Sequence, residues 1–100
     1  MKRIPESKRE SILVDDLDHC YVCGALHPHK HEVFFGTSNR EKSKQYKMIL
    51  PLCYIHHEGN DSPHKNREVD LAYKRMAQEV WENTYGTRED FIKEFIRSYL

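Results

Sequence analysis

Cys20-Tyr-Val-Cys23-Gly24 and Cys53-Tyr-Ile-His56-His57 are the two stretches on which the reading of this chain turns, with 29 residues between Cys23 and Cys53. Three thiols and one imidazole in CxxC and CxxH spacing form a tetrahedral set of the kind that closes around a structural zinc. The glycine after Cys23 permits the tight backbone turn that lets both sulfurs face one ion. Three cysteines are a poor disulfide framework and a good metal set. They also point to a reducing compartment, where thiols persist.

The rest of the composition makes such a staple useful. The chain has 100 residues, 38% of them apolar and 32% charged. A single domain of this size buries only about 60–65% of its unfolded surface and is marginal without help. Metal binding supplies help, because the unfolded chain has no preformed site and binding energy becomes folding energy. The formal net charge is zero, so no overall basic field draws the protein to nucleic acid. Local basic clusters remain at Lys2, Arg3, Lys8 and Arg9, and at Arg40, Lys42, Lys44 and Lys47. The start, Met-Lys-Arg-Ile-Pro-Glu-Ser, is not backed by an apolar run, so no signal peptide is expected. No run approaches about 20 apolar residues, so no membrane span is expected. The expectation is a soluble, cytoplasmic protein in a bacterial host cell.

Working outward, residues 1–18 read as a flexible N-terminal segment and residues 19–100 as one domain. Ser11 to Asp18 offers a short strand or turn. His29 to Phe35 reads as a strand, because Val33, Phe34 and Phe35 supply β-propensity. Gly36-Thr-Ser-Asn39 breaks it, and Arg40 to Lys47 is a basic connection with room for a helical turn. Met48 to Leu52 suits a buried second strand, with Pro51 placed late. Helical spacing then takes over. Val69, Tyr73, Met76 and Val80 form one stripe, widened by Leu71, Ala72, Ala77 and Trp81 and read as core or a dimer face. Ser62-Pro63 fits an N-cap with proline at the first helical position. Gly86 ends that helix and Thr87 caps another, with Glu89 and Asp90 in its first turn. Phe91, Ile92, Phe95, Ile96 and Tyr99 mark the buried face of the last helix. A knuckle, a hairpin and a helix bearing the last two ligands make an α+β fold of the treble-clef, ββα-metal kind with C-terminal helices.

A closed zinc site uses four ligands, so the histidines of His27-Pro-His29-Lys-His31-Glu32 and the extra His57 are left over. His29 and His31 lie two apart and share one face of a strand. The order CxxCG, a histidine-bearing strand, a second strand ending Pro-Leu-Cys, then x-x-His-His resembles the HNH (His-Me finger) nuclease family. More closely, HEVFFGTSNREKS, LPLCYIHH, HKNREVDL and AQEVWE look like small HNH-type proteins encoded by bacteriophages and prophages. The likeness covers roughly residues 19–100, and its specific motif lies in the first half.

The resemblance implies a metal-dependent DNA endonuclease. Phosphodiester hydrolysis needs an activated water and a stabilised leaving oxygen, and one divalent ion, Mg²⁺ or Mn²⁺, does the second job while a positioned base does the first. His31 and His57 are the candidate ligands of that catalytic ion. Two registers give the base. Aligning Val33-Phe34-Phe35 with the family's apolar run puts Glu32 in the base position and His31 in the metal position. A shift by one makes His31 the base. Glutamate, with a pKa of about 4.3, is a weaker base near neutrality than imidazole. The place of the family's middle asparagine holds Met48, and Asn39 is a substitute candidate or simply a turn residue. His64 is a further ligand or phosphate contact, or else caps the long helix with Asn66. Arg40, Lys42 and Lys44 are candidate DNA-backbone contacts. The rival expectation is a non-catalytic zinc module that binds DNA or a protein partner in phage recombination or packaging. A homodimer fits either.

Overall fold

Ile49-Leu-Pro-Leu52 is a continuous apolar run, the pattern of a strand covered on both faces. In the computed structural model, which describes residues 9–36 and 38–100, this run is strand β2 (Ile49–Leu52), buried along its whole length. It pairs antiparallel with β1 (His29–Glu32) in the register His29↔Leu52, Lys30↔Pro51, His31↔Leu50 and Glu32↔Ile49. Four helices, α1 (Asn39–Gln45), α2 (Tyr54–Glu58), α3 (Arg67–Thr84) and α4 (Arg88–Phe95), complete a small α+β fold around this two-stranded sheet.

β1 stops three residues short of the expected Phe35, for a physical reason. Val33 keeps one ladder bond, donating to Met48 O at 3.1 Å. Phe34 then turns to α1: its N–H donates to Ser43 Oγ at 3.0 Å, and its carbonyl accepts from the same hydroxyl at 2.6 Å. A buried side chain satisfies the backbone groups that a strand partner would otherwise take. The basic connection holds more than one helical turn, since α1 spans seven residues.

The core joins Val33, Phe34, Met48, Leu50 and Leu52 to Ala77 and Trp81 of α3 and to Phe91 and Phe95 of α4. The rings of Phe34 and Phe91 each lie 4.6 Å from that of Phe95. On α3, Ala77 and Trp81 face inward as expected, and Tyr73 and Met76 pack against the core. Lys74, Ala77, Gln78 and Trp81 are the buried residues of this helix, whereas Val69 and Val80 are only half-buried. Two polar side chains go inside because each finds a polar partner there. Gln78 donates to Ser98 Oγ at 3.0 Å and accepts from the Tyr99 N–H at 2.7 Å. Lys74 donates to Asp70 Oδ2 at 2.7 Å and sits 4.1 Å over the Phe35 ring.

The cap of α3 is Asn66, not Ser62: its side chain accepts from the N–H groups of Glu68 and Val69. Ser62 and Pro63 belong to a preceding turn, in which Ser62 O accepts from the Asn66 N–H at 2.8 Å. Thr87 caps α4 as expected and forms a reciprocal capping box with Asp90. α4 ends earlier than its apolar pattern suggests. Ile96 takes a left-handed C-cap conformation and is 74% exposed, and Ile92 is also exposed.

Part of the N-terminal segment packs against this core. Ser11 Oγ donates to Ile49 O, the Ile12 N–H donates to Lys47 O, and Ile12, Leu13 and Val14 lie on the core. Residues 1–8, including three of the four residues in the first basic cluster, lie outside the described residues. No helix among the described residues is long and apolar enough to cross a membrane.

Candidate metal centres

The knuckle is built by short-range backbone bonds. The Gly24 N–H donates to Cys20 O, the Cys20 N–H donates to Ala25 O, and Gly24 has a φ of +78°, which favours glycine. The Tyr21 N–H donates to Pro51 O at 2.7 Å, which fastens the knuckle to β2 just before Cys53. Cys53 then sits at the N-cap of α2, so His56 follows one turn later on the same side.

These constraints gather the four expected ligands. Cys20 Sγ lies 3.7 Å from His56 Nδ1, Cys23 Sγ 3.7 Å from Cys53 Sγ, and Cys53 Sγ 3.2 Å from His56 Nδ1. Ligands at tetrahedral zinc distances would stand about 3.6–3.8 Å apart. The set is compatible with a structural zinc, and all four ligand atoms lie within 4.8 Å of one another. The thiols are free rather than paired in a disulfide.

Their ionisation points the same way. Burial pushes the Cys20 thiol up, but hydrogen bonds from the backbone of Cys53, Cys23 and Val22 and from the His56 side chain outweigh it and bring it down to about 6. For Cys23, a backbone bond at Ala25 favours the thiolate, but partial desolvation and the neighbouring Cys20 and Cys53 sulfurs push it up. Crowded thiols resist ionising together, and a divalent cation among them removes that penalty.

A second cluster lies on the other side of α2. His31 is 2% exposed, and its Nδ1 stands 3.1 Å from His57 Nε2. His64, from the turn before α3, places its Nε2 3.1 Å from the same nitrogen. Imidazoles at about 2.0–2.1 Å from one ion have nitrogens roughly 3.0 Å apart in octahedral and 3.4 Å apart in tetrahedral geometry. The three histidines therefore offer one face of a coordination shell and leave other positions open. Consecutive residues at the start of α2 serve the two clusters, His56 the first and His57 the second. Burial, then the nearby His57, His64 and Lys74, push the His31 imidazole down to about 3. Burial, then His64, lower that of His57, against an upward pull from Glu58. Both are thus held in the neutral form that binds metal.

That shift has a measurable consequence. The folded His31 value lies below its ordinary 6.5, so the unfolded chain takes up the proton first as pH falls. Stability from this group is full above about pH 6.5 and declines as pH drops toward 3. Urea denaturation at pH 5 should give a stability lower than at pH 7 by up to about 2 kcal/mol from this residue. A His31→Phe protein that keeps the full acid loss would contradict the assignment.

Other expected site residues fall elsewhere. Glu32 follows His31 in β1 and so projects to the opposite face. Its carboxylate pairs with Arg9 at 3.2 Å and lies 3.9 Å from Lys44, outside ligand spacing of the three histidines though its charge still raises the His57 pKa. The base position in the register set by Val33-Phe34-Phe35 is thus tied into an ion-pair network. Asn39 opens α1, and no hydrogen bond joins it to the histidines among the described residues. His64 and Asn66 divide the two roles considered for them: His64 meets His57, and Asn66 caps α3. Of the three basic candidates, Arg40 is exposed. Lys42 is held by the carboxylate and carbonyl of Glu94, and Lys44 is buried against Glu41 and Glu32.

One histidine enters the cluster more firmly than its sequence suggests. His29 Nδ1 stands 2.7 Å from His57 Nδ1. The signal was its two-residue offset from His31, which puts both on one face of β1. His19 pairs with Asp16, and His27 is exposed at a positive φ. In comparisons with protein-family models, curated proteins and solved structures, the chain finds no match.

Proposed function

We propose that this chain is a metal-dependent DNA endonuclease of HNH type, built as a treble clef. Cys20, Cys23, Cys53 and His56 would hold a structural zinc, and His31, His57 and His64 would hold a catalytic divalent ion; three imidazoles suit a transition metal such as Ni²⁺ or Zn²⁺ better than the Mg²⁺ or Mn²⁺ that the resemblance implies. The observation that carries this reading is the convergence of His31 Nδ1 and His64 Nε2 on His57 Nε2, each at 3.1 Å. A bound divalent ion supplies Lewis-acid stabilisation of the charge that develops on the leaving oxygen of a phosphodiester. The chain's own contribution is to fix three imidazoles on defined elements, two of them at the ends of a strand-to-helix clamp. Arg40, exposed on α1, provides sequence-independent attraction for the DNA backbone. Residue types and their order along the chain resemble those of phage HNH proteins, which supports DNA as the substrate.

A second reading has its own support. Glu32 is engaged with Arg9 and Lys44, and His31 is buried with its Nδ1 directed at His57. Neither is free to take a proton from water. That favours a non-catalytic zinc module that binds DNA or a phage recombination or packaging protein, as a monomer or homodimer. Nicking of supercoiled plasmid separates the two. The nuclease reading expects open circles with Mg²⁺, Mn²⁺ or Ni²⁺ and none with EDTA. Retarded plasmid with no nicking in any metal would decide for the binding module.

A further inference from the structure

Among the described residues, His57 has both ring nitrogens engaged within the second cluster. Its Nε2 faces His31 and His64, while its Nδ1 lies 2.7 Å from His29 Nδ1 and 3.5 Å from Glu58 Oε1. We infer that His29 is a positioning residue: it accepts the Nδ1–H of His57 and so holds Nε2 free, as a lone-pair donor, toward the three-imidazole centre. This inference rests on the reading of His31, His57 and His64 as an ion site.

The geometry distinguishes this role from two others. A neutral imidazole carries one proton. If His57 is to bind an ion through Nε2, the proton must sit on Nδ1, and a buried N–H needs an acceptor. His29 Nδ1 is the nearest, and the two rings stand almost perpendicular, at 84°, with centroids 4.9 Å apart. A separation of 2.7 Å suits a shared proton. Glu58 Oε1 is farther from the same nitrogen, and its side chain is 43% exposed. It therefore competes with water for the role.

The trio His29, His57 and Glu58 could instead hold a second ion of its own, since its ligand atoms lie within 4.8 Å of one another. Two observations oppose that. The His57 ring would have to coordinate through both nitrogens, which requires removal of its last ring proton. The 2.7 Å separation is also shorter than the roughly 3.0–3.4 Å expected between two nitrogens on one ion. The source of the arrangement is the strand. His29 and His31 project from the same face of β1, one to each nitrogen of the ring opposite. Outer partners of this kind fix tautomer and ring orientation, and their loss typically weakens metal binding about 10–100-fold.

The test uses the full chain with its Cys₃His site loaded with Zn²⁺. Co²⁺ is then titrated and followed by its visible absorption, with wild type beside His29→Phe and His29→Asn. Phenylalanine keeps the ring and removes the acceptor; asparagine restores an acceptor oxygen. The expected result is a 10–100-fold rise in the Co²⁺ dissociation constant for His29→Phe, with much of it recovered in His29→Asn. Long-range ¹H–¹⁵N spectra of wild type without Co²⁺ should show the proton of His57 on Nδ1. This second measurement needs no variant and stands even if His29→Phe folds poorly. Wild-type affinity in His29→Phe, or an Nε2–H tautomer at His57, overturns the positioning role. Uptake of two Co²⁺ ions per zinc-loaded chain overturns it in favour of the second ion site. No Co²⁺ uptake by zinc-loaded wild type removes the three-imidazole reading itself, an outcome separate from a change confined to the His29 variants.

Discussion

Cys53→Ser should lose its first metal and with it the cooperative fold. Serine matches cysteine in shape and is itself a favourable helix N-cap. The change leaves the N-cap position of α2 suited to a helix start, so the loss isolates the ligand. Cys53 is central to its cluster: it is the nearest sulfur to His56 Nδ1, at 3.2 Å, and stands 3.7 Å from Cys23. Structural zinc supplies on the order of 10–16 kcal/mol of apparent binding free energy in small modules. The total stability of a small domain is about 5–15 kcal/mol. Removal of one thiolate ligand therefore takes away a term as large as the whole margin. The knuckle has little else to hold it, since Tyr21, Val22, Leu26, Tyr54 and Ile55 around it are exposed. Elemental analysis should find no zinc in the variant, and thermal unfolding followed by circular dichroism should lose its cooperative transition. EDTA treatment of wild type should produce the same state. A variant without zinc that melts like wild type would show that the core centred on Phe34, Trp81, Phe91 and Phe95 suffices, and that the cluster is not a folding element.

His57→Ala should do the reverse, keeping the fold and abolishing the second centre. The substituted side chain supplies Nε2, the atom on which His31 and His64 both converge. Its removal leaves two imidazoles that have lost their common neighbour. The effect should exceed the roughly 10–100-fold caused by loss of an outer partner, because a direct ligand is gone. The adjacent His56 serves the other cluster, so the variant should retain one zinc per chain and a wild-type circular dichroism spectrum. Plasmid nicking should fall to the level of the EDTA control. Equal nicking by wild type and His57→Ala would remove the active-site assignment while leaving the zinc module intact.

Legibility differed from residue to residue. The Cys20, Cys23, Cys53 and His56 set was readable because two of its spacings are local: CxxC turns about Gly24, and CxxH is one helical turn. The surplus of His57 was readable for the same reason, as the residue beside a ligand must point elsewhere. The partners of Glu32 were not legible, because alignment by apolar run says nothing of which face a side chain takes. Strand alternation puts it with Arg9 and Lys44. The basic trio was equally opaque, because whether a lysine faces solvent depends on carboxylates far off in sequence, such as Glu94 for Lys42. On α3 the apolar stripe was readable through Ala77 and Trp81, but the burial of Lys74 and Gln78 was not, since both are polar by type and buried only because Asp70, Ser98 and the Tyr99 backbone satisfy them.

The sequence by itself determined the candidate metal-ligand set, the α+β order of elements and the Thr87 cap of the last helix. These depend on spacings of two to four residues, which backbone geometry converts directly into position. The tertiary structure alone decided that His31 and His64 meet His57 Nε2 while His29 meets its Nδ1, and that Glu32 pairs with Arg9. That choice depends on the register of β1 against β2 and on how the turn before α3 returns His64 to α2. Packing contacts between segments distant in sequence set both, and no local pattern encodes them.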